Sequence, residues 1–174
     1  MKKSFVVLLH LGFWLCYFIL IAIMLGIYYR SILSVNNPQY RVANAFNSIF
    51  LFAFIPSFIS YWAYYFFLFP RYLQKGKIFL AIILGILISA IAAVIGYILL
   101  RYLIESGHVM DMDEGGIHGR STALRTIAVM TFIGSICGSV ALVINGFITW
   151  YNEIKLKEML KEKNFEMEMA LVKS

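Results

Sequence analysis

The chain has 174 residues, of which 61% are hydrophobic and 14% charged, with a formal net charge of +6 and a mean hydropathy of +0.81. A soluble domain carries roughly 25% charged residues, so this composition argues for a membrane protein. The basic residues punctuate apolar runs instead of lining one face, which argues against nucleic acid as a partner. Cys16 and Cys137 each sit alone in an apolar run, which argues against a disulfide or zinc framework.

Crossing hydrocarbon takes ~20 mostly apolar residues in a helix. Four stretches qualify: about 5–29, 45–69, 78–100 and 123–151. The first begins like a signal peptide, "MKKSFVVLL", but its apolar run far exceeds the roughly 7–15 residues of a signal h-region, and no small-x-small cleavage site follows. It reads as a retained anchor. A short loop with Asn36, Asn37 and Pro38 as turn chemistry follows.

The second span, "FLFAFIPSFISYWAYYFFLFP", is crowded with aromatics and carries Pro56 in its middle and Pro70 at its end. Pro56 removes a backbone donor and should kink the helix, with Ser57 or Ser60 helping the freed carbonyl. Tyr61, Tyr64 and Tyr65 could line a ligand groove, although packing and an interfacial aromatic belt explain them with fewer assumptions. The turn "RYLQKGK" follows. The third span places Gly85, Ser89, Ala92, Ala93 and Gly96 at helical spacing, and the fourth has Gly134 and Gly138 with Ser135 and Ser139 beside them. Small residues let membrane helices approach closely, so these two spans are expected to pack on each other or across a dimer axis.

With both termini inside, the inner side holds Lys2, Lys3, Arg71, Lys75, Lys77, Lys155, Lys157, Lys161, Lys163 and Lys173, against Arg30, Arg41, Arg101, Arg120 and Arg125 outside. By the positive-inside rule, both termini are expected in the cytoplasm.

No Asp, Glu, Lys or Arg lies deep in a span, which argues against a pump or coupled transporter. His10 and Arg125 lie near span ends, within reach of the interface, and Asn47 and Asn145 are the in-span polar side chains most suited to joining helices. The outer loop offers His108, Asp111, Asp113, Glu114 and His118, donors that a divalent cation could use. A solvated loop kept polar by acids and glycines is the simpler reading. There is no phosphate-binding loop, no nucleotide-binding glycine box and no nucleophile paired with a base, so no catalytic, cofactor-binding or metal residue is assigned.

The tail carries Leu156, Leu160, Lys163, Met167 and Ala170 or Leu171 on one stripe, with alternating charges around it. Nothing between the fourth span and the tail breaks a helix, so one rod of about 75 Å is expected from near Ala123 to Val172. The fold class expected is an all-α membrane protein: a four transmembrane helix bundle whose last helix extends into a cytoplasmic coiled-coil-like helix. Residues 1–151 form the transmembrane domain and 152–174 the signalling helix.

"FWLCYFIL" in the first span, "YWAYYFFLFPRYLQKGK" ending the second, the four spans and the exit "LKEKNFEMEMALVKS" together resemble the N-terminal membrane region of bacterial LytS-like sensor histidine kinases. The resemblance implies a sensor domain in the inner membrane, a homodimer, and a charged helix running into a QxNPHFLFN phosphoacceptor motif and an ATP-binding domain. It also implies ATP and Mg as the cofactors of that kinase core, and a response regulator as its partner. This chain stops where the motif would begin, so a fragment is expected, and none of His10, His108 or His118 stands in the family's phosphoacceptor context. A complete accessory or scaffold protein, whose tail binds a cytoplasmic partner, is the alternative.

The solvated-loop reading of residues 108–118 expects no change in melting temperature when Ca²⁺, Mn²⁺ or Zn²⁺ is titrated into the detergent-purified protein. A stabilisation that disappears in Asp111→Asn/Asp113→Asn would establish a cation site instead.

Overall fold

The computed structural model describes residues 3–32, 42–109 and 120–173. Four α-helices follow in chain order: α1 Lys3–Ile32, α2 Val42–Ala63, α3 Ile78–Glu105 and α4 Arg120–Lys173. A ten-residue π-helical segment, Tyr64–Leu73, prolongs α2. No strand occurs among the described residues. Phe-, Ile- and Val-rich runs have strand propensity in water, but in hydrocarbon each backbone N–H and C=O needs an internal partner, and a helix supplies one locally. All four helices are long and apolar enough to span, which makes this a multi-pass membrane protein.

The second span is longer than its apolar run suggests, because the helix does not end at Pro70. A proline ring in an α-helix collides with the carbonyl four residues back. The wider π turn moves that carbonyl aside, and the chain continues through Pro70 to Leu73.

α1 is peripheral. Only 6% of its apolar window is buried within the chain, against 33% for the second span and 28% for each of the other two. The second span, α3 and α4 form the packed centre, where Tyr61, Tyr64, Leu68, Ala81 and Ala141 make one buried cluster. Ala93, Leu100, Val109 and Met130 make another.

The small residues of α3 and α4 face this centre, and their closest neighbours come from the second span. A Cβ at Gly138 would lie 2.7 Å from the Tyr64 ring, and one at Gly85 would lie 2.8 Å from the Tyr64 hydroxyl. At Gly134 it would meet Ser60 Oγ at 2.7 Å, and at Gly96 the Pro56 ring at 3.4 Å. Tyr64 is thus a wedge seated between two glycine hollows, its hydroxyl 3.0 Å from Ser89 Oγ. Lipid gives no hydrophobic drive between helices, so this fit, through many small dispersion contacts, is what holds the bundle together. α3 and α4 do pack on each other, as expected, and the atoms nearest their glycines belong to the second span.

α4 is 54 residues long, about 80 Å by the helical rise, and has no break where it leaves the bundle. Every residue from Tyr151 to Val172 is exposed.

Gly138→Ala is expected to destabilise the detergent-solubilised protein by about 1–3 kcal/mol, the cost of overpacking against Tyr64. Gly12→Ala, with nothing within 4 Å of its new Cβ, should be neutral or slightly stabilising. Thermal melting of the two variants side by side checks this, and equal melting temperatures would disprove the wedge.

Candidate functional site

The second span is the only described helix run with prolines in it, one in each half. Each proline deletes an amide donor, and in hydrocarbon water cannot replace it. At Pro56 the neighbouring helix α1 responds. Tyr17 donates its hydroxyl hydrogen to the Ala53 carbonyl at 2.9 Å, within the turn that Pro56 opens. With that hydrogen committed, the 2.7 Å contact between Tyr17 and Ser57 is donated by Ser57. Ser57, expected to help the freed carbonyl, bonds to Tyr17 instead, and the carbonyl that Tyr17 serves is that of Ala53, one residue beyond the Phe52 carbonyl that Pro56 frees. Ser60, the other candidate, has no hydrogen-bond partner for its buried hydroxyl, which presses on Gly134.

At Pro70 the response comes from α4. A π-helix bonds each amide to the carbonyl five residues back, so the amide missing at Pro70 is the one that would have met the Tyr65 carbonyl. Asn145 Nδ2 donates to that carbonyl at 2.8 Å. One side chain thus satisfies the orphaned acceptor and ties α4 to the only π-helical segment described. Gly146, next in sequence, keeps Phe69 Cε2 at 3.7 Å from where a Cβ would stand.

A third joint is aromatic. His10 of α1 points into the bundle, its Nδ1 2.6 Å from the Tyr61 hydroxyl. Its ring meets Tyr65 edge-on at 4.8 Å and lies tilted against Trp62 at 5.4 Å. The expectation that His10 reaches the interface gives way to this inward bond. Phe13 stacks on Tyr61 at 4.8 Å, and Trp14 touches Phe54, Phe58 and Tyr61. α1 is therefore held by rings and three hydroxyl contacts instead of close backbone approach. Of the three tyrosines considered as groove-lining residues, Tyr61 and Tyr64 are buried at 0% and 4% exposure and Tyr65 is half-buried.

The other expected site residues fall as follows. Gly85, Ser89, Gly96, Gly134 and Gly138 are buried. Leu156, Leu160, Met167 and Leu171 are exposed on the tail. His108 is exposed just after α3, its Nδ1 2.9 Å from Ser106 Oγ, while Asp111, Asp113, Glu114 and His118 lie outside the described residues. Asn47 lies in α2. Among the described residues no group of three or more His, Cys, Asp or Glu could hold a metal ion. The hydrogen-bond partner of His10 is the Tyr61 hydroxyl, and among the described residues no carboxylate pairs with it. The polar side chains described inside the bundle form hydrogen bonds between helices.

No protein-family model, curated protein or solved structure matches this chain.

Asn145→Leu should lower stability by about 1–2 kcal/mol, the range for an interhelical polar contact in a membrane protein. In a Pro70→Ala background the same change should cost much less, because the restored amide can serve the Tyr65 carbonyl. A double-mutant cycle by thermal melting reads this coupling, and additive effects would show that Asn145 does not compensate for the proline.

Proposed function

We propose that the chain is the membrane sensor and signal-relaying part of a two-component sensor histidine kinase. A stimulus acting on the bundle is carried by α4 to an ATP- and Mg-dependent kinase core outside these 174 residues, which autophosphorylates on histidine and passes phosphate to a response regulator. The observation that carries the reading is the continuity of α4 from Arg120 to Lys173. A helix that is stiff from the outer loop to the far end of the tail converts displacement inside the bundle into displacement of the tail. The Asn145 joint gives a route: a change in the π segment moves the Tyr65 carbonyl, and α4 moves with it.

On this reading the chain lies in a bacterial inner membrane with both ends cytoplasmic, as the lysine and arginine distribution favours, and works as a homodimer. Two features support pairing through α4. Counted back from Ala170, Met167, Lys163, Leu160 and Leu156, alternate steps of three and four reach Ser139, Ser135 and Phe132 by way of Glu153, Thr149, Gly146 and Leu142, the last two packed on the same chain. Ser139, Ser135 and Phe132 lie on a shallow outward-facing groove of α4. The hydroxyls of Ser135 and Ser139 bond back to the Thr131 and Ser135 carbonyls at 2.8 Å, leaving that face apolar. Between these stretches the seam passes Gly146, which faces Phe69 of the same chain.

The exposed tail seam also favours a second reading, a non-enzymatic accessory or scaffold protein whose C-terminal helix docks on a cytoplasmic partner.

Cysteine at Leu156 or Leu160 should crosslink between protomers in liposomes several-fold more than cysteine at Glu158. The intact gene product, given labelled ATP and Mg²⁺, should acquire acid-labile, base-stable phosphate. Efficient crosslinking without phosphorylation would reject the kinase reading in favour of the scaffold, and no positional preference in crosslinking would reject pairing.

A further inference from the structure

The turn joining the second span to α3 is a compact cationic surface. Arg71, Lys75 and Lys77 fall within seven residues, and all three are exposed. The turn's shape is fixed by amide bonds of 3.0 Å from Gln74 to the Phe69 carbonyl, from Gly76 to Leu73 and from Lys77 to Tyr72. Gly76 supplies the left-handed φ of +71° that the reversal needs. Arg71 is held by its guanidinium carbon 4.6 Å from the Phe67 ring centroid, a cation–π contact that also orients its free N–H groups. Tyr72 and Leu73 pack on the buried cluster and root the turn in the bundle.

Among the described residues none of these three cations forms an ion pair. No acidic residue occurs before Glu105, and among the described residues the one ion pair is Arg101 with Glu105. The start of α3 adds to the field. It has neither an acidic residue in its first turn nor a side-chain cap at Lys77, and the first amide bond back to the turn is that of Ala81 to the Lys77 carbonyl. Uncapped amides at a helix N-terminus reinforce attraction for an anion.

We infer that this turn binds the phosphate of an anionic phospholipid headgroup. Charge complementarity selects an anion, and position selects a lipid. The turn joins two spans and so lies at a bilayer surface, where headgroup phosphates are concentrated. Its cations are flanked by exposed apolar side chains, Phe66 and Phe67 on one side and Ile78 and Phe79 on the other. Those side chains offer contact to acyl chains, which a soluble phosphate lacks. The inference does not depend on the kinase reading and holds for a sensor or a scaffold alike.

The test is binding of phosphatidylglycerol and phosphatidylcholine, measured separately by native mass spectrometry on the full chain in a neutral detergent. Phosphatidylglycerol should bind at least tenfold more tightly than phosphatidylcholine. Arg71→Gln/Lys75→Gln/Lys77→Gln should lose on the order of 100-fold in affinity for it, since each cation near an anionic surface contributes roughly fivefold. Arg71→Lys/Lys75→Arg/Lys77→Arg, which keeps the charge, should retain most of it, and Arg101→Gln at the opposite end of α3 should change nothing. Should the glutamine variant fail to fold, the salt dependence of wild-type binding decides, and affinity unchanged between about 0.05 and 0.5 M salt, over which the screening length falls about threefold, would overturn the assignment. Equal binding of the two lipids would overturn it too, as would full competition by millimolar inorganic phosphate, which would point to a soluble anion.

Discussion

In hydrocarbon a proline leaves a carbonyl that water cannot reach, and the second span of this protein has two prolines. That constraint organises the rest of the bundle. At Pro70 the orphaned Tyr65 carbonyl is met by Asn145 of α4, and beside Pro56 the Ala53 carbonyl, one residue past the orphaned one, takes a bond from Tyr17 of α1. Both neighbours are thereby held in register along the second span. Glycine hollows on α3 and α4 then let that span come close enough for Tyr64 to fill the space between them. Polar bonds set position and small residues set distance.

The joints differ in kind. α4 and α3 meet the second span through tight, small-residue contacts that resist sliding. α1 is attached by stacked rings, the His10–Tyr61 contact and the Tyr17 hydroxyl, over a surface mostly turned to lipid. The π segment is the only non-α helical backbone among the described residues, and single π turns within α-helices are frequent at functional sites. Its carbonyl at Tyr65 is bonded to the helix that leaves the membrane. A path therefore runs from the broken half of the second span into the rod that reaches Lys173.

Much of the architecture was legible in the sequence, since four long apolar runs and the absence of any breaker between the fourth span and the tail follow from composition and periodicity. Small residues at helical spacing announced a close approach on α3 and α4. They could not say which helix approaches, because spacing describes one surface and not its partner. The joints were less visible. Tyr17 lies 36 residues from Ala53, and Asn145 lies 80 residues from Tyr65, and a hydrogen bond across such separations leaves no local pattern. Asn145 did stand out as a lone amide among apolar neighbours, a sign of helix joining. The π segment left no trace in the periodicity. Pro70 read as an end, whereas the helix widens and passes through it.

The bond from Asn145 to the Tyr65 carbonyl is the claim on which this account most depends, and isotope-edited infrared spectroscopy observes it directly. The protein is labelled with ¹³C at tyrosine carbonyls, and the contribution of position 65 is isolated by subtracting the spectrum of Tyr65→Phe. In wild type the Tyr65 carbonyl band should lie at lower frequency than in Asn145→Leu, where the acceptor loses its donor. Coincident bands in the two proteins would mean that the carbonyl is satisfied in some other way and that α4 is not fastened to the π segment.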